Sequence, residues 1–144
     1  MRILVINGPN LNMLGIREKN VYGSRTYEDL CTYIKNEAEK LNVEVELFQS
    51  NHEGAIIDEI HKAYQKFDGI IINPGAYTHY SYAIYDALKC VNIKTIEVHI
   101  SNIHEREEFR RISVIKDACV NQISGHGFAG YKLALEELVL ESRE

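Results

Sequence analysis

The sequence contains few cysteines and no long apolar run. Cys31, Cys90 and Cys119 are an odd number at unrelated spacings, which predicts small core side chains in a reducing compartment rather than disulfides. No segment approaches about eighteen consecutive apolar residues, and the N-terminal MRILVINGPN has no apolar stretch long enough for a signal peptide. These absences predict a cytoplasmic protein with no membrane partner.

The chain also lacks a basic face. Its 16 Lys and Arg residues are outnumbered by 21 Asp and Glu residues, and the net charge is −5. A chain of this charge with no cluster of basic residues is a poor match for nucleic acid. No Ser/Pro-rich linker, low-complexity run or internal repeat divides the sequence, so it is predicted to form one domain, residues 1–144.

Sequence motifs for metals and cofactors are missing as well. There is no HExxH or CxxC, and His99 and His104 do not have the i,i+4 spacing of a helical metal pair. There is no Walker A sequence, and GHGFAG, residues 125–130, follows the last predicted strand without an acidic residue about twenty positions later. We interpret its glycines as a tight turn from strand to helix and predict neither a metal nor a cofactor.

What the chain does contain is a regular alternation of strands and helices. Continuous apolar runs such as RILVI and GIII indicate buried parallel strands, whereas VEVELF alternates as an edge strand does. Predicted strands cover residues 2–7, 43–48, 69–72, 94–100 and 118–123. The first predicted helix begins at Thr26, with Asp29 in a capping box, and the three later helices cover 53–66, 81–89 and 127–140. The predicted fold is α/β and flavodoxin-like: a five-stranded parallel sheet of order 2-1-3-4-5 with helices on both faces.

Ligands of such sheets bind beyond the carboxyl ends of the strands, and three of these ends are unusual. After the first strand, GPNLNMLGIREKNVYG is about three times longer than a typical connection. The segment keeps several apolar residues and carries Arg17 and Tyr22, so a packed active-site lid is favoured over a loose surface loop. After the third strand, NPGAYTHYS places Asn73 and His79 on either side of a turn. A polar-ligand site and a simple helix cap both fit that turn.

The fourth strand, IEVHISN, places Glu97 and His99 on the same face. An interior strand should be apolar on both faces, so the two residues are predicted to hydrogen-bond, with the imidazole tautomer set by the carboxylate. A purely structural Glu–His pair is the alternative. In the following NIHEREEFRRIS, Arg106 and Arg110 are four apart and would share one face of a helix, which a solvated charged helix would also explain.

Taken together, GPNLNMLGxRExxxYG, FQSNHEG, NPGAYTH, IEVHISNxHxREEFR and GxGxxGYxLAL resemble the type II 3-dehydroquinate dehydratases, in order and over almost the whole chain. The resemblance implies a lyase of the shikimate pathway of aromatic amino acid biosynthesis. The reaction it implies is the reversible dehydration of 3-dehydroquinate to 3-dehydroshikimate by anti elimination through an enolate, without metal or cofactor. It also implies a homo-oligomer, a dodecamer built as a tetramer of trimers.

The resemblance further implies roles for individual residues. Tyr22 would remove the proton beside the ketone, Arg17 would keep Tyr22 ionised, and His99 would protonate the departing hydroxyl. Asn10 would hold the enolate oxygen and Glu97 would orient His99; Arg106 is a second candidate for supporting Tyr22. Substrate would be bound by Asn73, His79, Ile100, Ser101 and Arg110, with Asp86 reaching the site of a neighbouring subunit.

Other functions fit the residues less well. A flavodoxin-like binding or signalling module is the alternative from another class, but a receiver domain needs acidic residues where this chain has Asn7 and Asn73. A flavin carrier would need a Ser/Thr/Gly-rich phosphate loop after the first strand, and GPNLN is too apolar. The dehydroquinase chemistry that uses a lysine Schiff base in a (β/α)₈ barrel is excluded by length, because such a barrel needs about 250 residues.

Overall fold

The computed structural model describes residues 1–16 and 24–143, and within them the predicted sheet is confirmed. Five parallel strands are arranged in the order β2-β1-β3-β4-β5. The strands are β1 (Arg2–Asn7), β2 (Glu44–Gln49), β3 (Gly69–Asn73), β4 (Lys94–His99) and β5 (Asn121–Ser124). The switch in strand order between β1 and β3 is the usual position of a ligand site in this topology.

In the described part of the chain, four α-helices cover the two faces of the sheet. They are α1 (Tyr27–Lys40), α2 (Glu53–Lys62), α3 (Tyr82–Val91) and α4 (Ala129–Ser142). Strand residues with odd numbers in β1 and β3, such as Ile3 and Ile71, pack with α1 and α4. Their even-numbered neighbours, such as Leu4 and Ile70, pack with α2 and α3. A strand covered on both faces must be apolar at every position, which explains the continuous apolar runs.

The first helix begins as predicted. The Asp29 backbone N–H donates to Thr26 Oγ1 at 3.1 Å, and the Thr26 backbone N–H donates to Asp29 Oδ2 at 2.9 Å. This capping box satisfies two of the backbone groups that a helix N-terminus leaves unpaired. It also sets where the chain turns back after the long connection that follows β1.

Some predicted boundaries were wrong. The second helix ends at Lys62 rather than at residue 66, because Gln65 adopts a left-handed conformation (φ 63°), although Phe67 is still buried. The last strand begins at Asn121 rather than 118, because Lys116–Ala118 form a 3₁₀ turn. Cys90 is exposed rather than a core residue, since it lies on the outward face of α3.

In the part of the chain that the structure describes, no helix is both long enough and apolar enough to cross a membrane.

Candidate active site

The connections that follow β1 and β3 are in close contact. A Cβ on Gly8 would lie 2.6 Å from the carbonyl oxygen of Pro74, and a Cβ on Gly75 would lie 3.0 Å from that of Pro9. Gly75 also has a φ of +59°, which glycine adopts without strain. Glycines at these two positions let the backbones approach closely enough to place Asn10 beside Asn73.

Beyond these strand ends lies a cavity of about 160 Å³. This is below the roughly 300–1,000 Å³ of drug-sized ligand sites and is suited to a small polar metabolite. Most of the residues predicted to form the site line it, together with residues that were not predicted. The predicted ones are Asn10, Asn73, His79, His99, Ile100, Ser101, Arg106 and Arg110; the others are Pro9, Leu11, Gly75, Ala76 and Ile103.

Asn10 is held by two residues at the carboxyl end of β2, Gln49 and Asn51, that the sequence analysis missed. Its backbone N–H donates to Asn51 Oδ1 at 3.0 Å, and the same oxygen accepts from Gln49 Nε2 at 3.2 Å. Gln49 Nε2 also donates to the Gly8 carbonyl at 3.1 Å. The FQSNHEG motif, which contains both residues, is the signal that could have found them. Asn10 itself is left-handed (φ 70°), so these bonds stabilise a conformation that asparagine tolerates better than most residues.

The start of the long connection packs only in part as predicted. Leu11 and Leu14 are buried, whereas Met13 and Ile16 are exposed. Arg17 and Tyr22, the lid residues of the predicted site, lie outside the described residues.

At the end of β4, Glu97 and His99 form the predicted hydrogen-bonded pair. Glu97 is 0% exposed and its Oε2 binds His99 Nε2. The carboxylate also accepts from Thr78 Oγ1 at 2.6 Å and from Ser113 Oγ at 2.8 Å. Burial alone raises the pKa of the Glu97 carboxyl, but the hydrogen bonds from His99, Thr78 and Ser113 outweigh it and lower that pKa. Glu97 is therefore ionised at neutral pH.

This pairing determines what His99 presents to the cavity. A carboxylate only accepts hydrogen bonds, so Nε2 carries a proton and Nδ1 is the ring nitrogen left for a ligand. Nδ1 accepts a hydrogen bond when the ring is neutral and donates one when it is protonated. Because Glu97 fixes the ring through Nε2 and leaves Nδ1 toward the cavity, the pair is suited to delivering a proton from Nδ1 to a ligand oxygen.

His79 is fixed by the segment that also carries Ser113. Its Nδ1 donates to the Ile112 carbonyl at 2.6 Å, and the Val114 backbone N–H donates to the Thr78 carbonyl at 2.8 Å. Burial lowers the pKa of His79. The neutral ring therefore offers Nε2 as a hydrogen-bond acceptor for a hydroxyl. Thr78 and Ser113 were missed: Thr78 is next in sequence to the cavity residue His79, whereas neither neighbour of Ser113 lines the cavity.

Arg106 and Arg110 both reach the cavity, but they do not lie on one helix as predicted. Ile103–Glu105 and Glu108–Arg110 form separate 3₁₀ turns, with an extended Arg106 between them. The Arg110 Nε lies 3.4 Å from Glu107 Oε2, a partly exposed pair that contributes little to stability. The two guanidiniums make this wall positive and suited to a carboxylate.

The remaining predicted residues divide into two kinds. Ile100 and Ser101 follow β4 directly, so their backbone groups lie at the cavity edge. Asp86 is exposed on α3 and is not one of the residues that line this cavity.

Within residues 1–16 and 24–143, no group of three or more His, Cys, Asp or Glu residues could hold a metal ion.

Comparison with known proteins assigns this chain to a family. Residues 1–139 match the family model described as dehydroquinase class II. The chain is 68% identical over 138 residues to the 3-dehydroquinate dehydratase of Caldicellulosiruptor bescii, covering 95% of each chain. It is 64% identical to the enzyme of that name from Clostridium acetobutylicum, covering 96% of each. The crystal structure of a type II dehydroquinase from Butyrivibrio crossotus superposes with a TM-score of 0.95 at 62% identity, covering 96% of this chain and 97% of that one. This chain therefore belongs to the class II dehydroquinase family.

Proposed function

We propose that this chain catalyses the reversible dehydration of 3-dehydroquinate to 3-dehydroshikimate in the shikimate pathway, as a hydro-lyase. The observation that carries the proposal is a small cavity lined by two arginines and by His99, which an ionised Glu97 supports from behind. A proton donor and a carboxylate-binding wall in one cavity are what the loss of water from a hydroxylated carboxylic acid requires. The names of the relatives support the same reaction.

His99 is the proton donor for the departing hydroxyl. As the C–O bond breaks, the imidazolium gives its Nδ1 proton to the hydroxyl oxygen, which leaves as water. The electron pair of the enolate forms the new carbon–carbon double bond. Glu97 keeps its charge throughout and holds the ring in place, and Thr78 and Ser113 in turn hold Glu97.

The positive wall binds the substrate carboxylate. Arg110 and the backbone N–H groups of Ile100 and Ser101 are the proposed donors, because all three residues line the cavity. His79 and Asn73 bind substrate hydroxyls. His79 does so through Nε2, because its Nδ1 is bonded to the Ile112 carbonyl.

Tyr22 and Arg17 supply the first half of the reaction. The proposed base is the Tyr22 phenolate, which takes the proton next to the ketone and leaves an enolate. Arg17, with Arg106 as a second candidate, keeps the phenolate charged, because a nearby guanidinium favours the ionised form. Asn10, which lines the same cavity, stabilises the enolate oxygen.

The proposed assembly is a homododecamer, a tetramer of trimers, of a single domain that works in the cytoplasm. Asp86 is exposed on α3 and could therefore reach a neighbouring subunit's site, which is the contact that a trimer would provide. Size-exclusion chromatography with light scattering measures the assembly directly, and a monomer in solution would refute it.

The activity is tested by adding 3-dehydroquinate to the purified protein and following the absorbance of the conjugated enone product. We expect turnover by the natural protein, and its absence would refute the proposal in favour of a binding module. Tyr22→Phe and Arg17→Gln should each lose most of kcat with the fold intact. Near-normal turnover by either variant would contradict its role.

His99→Ala separates the two halves of the reaction. It should block loss of water while exchange of the proton beside the ketone with solvent continues. His104→Ala is a matched control, because His104 is exposed and is not one of the cavity-lining residues. If exchange also stops in His99→Ala, His99 acts earlier than proposed.

A further inference from the structure

Behind the cavity wall, three side chains from different elements form a buried hydrogen-bonded row. Tyr131 in α4 donates its hydroxyl proton to Asn7 Oδ1 at the end of β1, at 2.6 Å. Asn73 at the end of β3 donates from Nδ2 to the same Tyr131 oxygen at 3.0 Å. Asn7 and Tyr131 are 0% exposed and Asn73 is 4% exposed. Asn73 lines the cavity, so the row connects the helix layer to the site.

The direction of every bond in this row follows from one backbone group. The Gly75 backbone N–H can only donate, and it donates to Asn73 Oδ1 at 3.2 Å. Asn73 must therefore turn Nδ2 toward Tyr131, whose hydroxyl oxygen accepts from it. The single proton of that hydroxyl then goes to Asn7 Oδ1. The tyrosine hydroxyl thus acts as acceptor on one side and donor on the other.

One end of the Asn7 side chain, the amide nitrogen Nδ2, contributes no hydrogen bond to the row or to the strand. Its Nδ2 is buried and points toward the Tyr27 hydroxyl, but within the described residues it forms no hydrogen bond of good geometry. A buried unpaired donor is unfavourable, and native proteins contain few of them. An asparagine here is explained by its Oδ1, which gives Tyr131 the acceptor that its hydroxyl needs.

We infer that Tyr131 is a positioning residue for substrate recognition by Asn73. Its hydroxyl, oriented by Asn7, fixes the Asn73 amide so that the second N–H of Nδ2 stays available to an oxygen of the ligand. This inference rests on the proposed function for the identity of the ligand. Tyr131→Phe removes the acceptor for Nδ2, so only the Gly75 N–H still holds the Asn73 amide, and Nδ2 is no longer fixed in the orientation that binds substrate.

A double-mutant cycle tests the inference. Tyr131→Phe should lower kcat/KM for 3-dehydroquinate at least tenfold, mainly by raising KM. In an Asn73→Ala background, the same change should lower kcat/KM less than twofold, because there is no amide left to position. Tyr33→Phe is the matched control and should keep normal activity. Tyr33 is half-buried and packs on Phe128, and its hydroxyl makes no hydrogen bond within the described residues.

An equal loss in both backgrounds would mean that Tyr131 is merely structural and would overturn the inference, as would unchanged kinetics. If Tyr131→Phe does not fold, Asn7→Ala replaces it, since losing the acceptor should misorient the row in the same way. A second readout needs no substrate: in NMR spectra, the two Asn73 Nδ2 protons should be distinct and slow to exchange with solvent. Tyr131→Phe should speed their exchange, and unchanged exchange would overturn the inference even if the natural protein proved inactive on 3-dehydroquinate.

Discussion

Replacing Thr78 by valine tests the network that supports the proposed proton donor. The change keeps the shape of the side chain and removes the hydroxyl that donates to Glu97 Oε2 at 2.6 Å. Thr78 and Glu97 are both 0% exposed, so water cannot replace the lost donor. A hydrogen bond to a charged group contributes about 1.5–3 kcal/mol. We therefore expect the free energy of unfolding at pH 7 to fall by about 2 kcal/mol and kcat to fall about tenfold, with KM little changed.

The pH dependence makes this prediction more specific. The folded protein lowers the pKa of Glu97 through hydrogen bonds that outweigh the effect of burial, so its contribution to stability is present above the unfolded pKa. That contribution is lost as the pH falls through the lower folded pKa. In Thr78→Val the folded pKa rises toward its ordinary value. The stability difference between the two proteins should therefore be full at pH 7 and should shrink below about pH 4, near the unperturbed glutamate value.

Urea denaturation across this pH range measures the difference, and Thr95→Val is the matched control. Thr95 is also buried in β4, but its hydroxyl donates to the neutral Ile93 carbonyl at 2.9 Å. Its loss should destabilise the protein by about 1 kcal/mol at every pH. The reasoning is refuted if Thr78→Val costs less than about 0.5 kcal/mol at pH 7, or if its effect does not depend on pH.

Other predictions concern the cavity wall and the cysteines. Burial lowers the pKa of His79, so below about pH 6.5 the unfolded chain gains a proton that the folded chain does not. The free energy of unfolding, measured by urea denaturation, should therefore decrease as the pH is lowered through this range. His79→Gln should reduce that dependence on pH. Arg110→Lys keeps the charge but loses the planar guanidinium that can bind both oxygens of a carboxylate, so KM should rise about tenfold, or about 1.4 kcal/mol, in steady-state kinetics. The control Arg143→Lys, at an exposed arginine, should leave KM unchanged. An equal KM in both variants would argue against carboxylate binding by Arg110. Burial, with a smaller effect of Glu97, raises the pKa of the Cys119 thiol. A thiol-reactive disulfide at pH 8 should therefore label the exposed Cys90 in the native protein and Cys119 only after unfolding, as peptide mapping would detect. Rapid labelling of Cys119 in the native protein would contradict this.

The sheet could be predicted because its signals are local. Continuous apolar runs identify the strands covered on both faces, and the alternation in β2 identifies an edge. Boundaries were less predictable, since apolar spacing continues past a helix end: Ala63 and Phe67 are buried although α2 stops at Lys62. There the left-handed Gln65 prevents the helix from continuing although the apolar spacing does continue, and no periodicity reveals a single backbone angle.

The cavity could also be anticipated, because a parallel sheet brings the carboxyl ends of its strands to one edge. Asn10, Asn73 and His99 meet there for that reason. The partners behind them could not be found in this way. Ser113 reaches Glu97 across 16 residues, and Tyr131 reaches Asn7 across 124.

The amino-acid sequence by itself determined the order of strands and helices and which residues stand at the strand ends, since both depend on short-range patterns of apolar and polar residues. Only the tertiary structure decided which oxygen or nitrogen each of those residues presents to the cavity. That choice depends on hydrogen bonds such as those of Glu97 with Thr78 and Ser113, whose donors meet only after the elements have packed. A hydrogen bond needs its two atoms within about 3 Å and aligned, a condition that spacing along a chain does not encode.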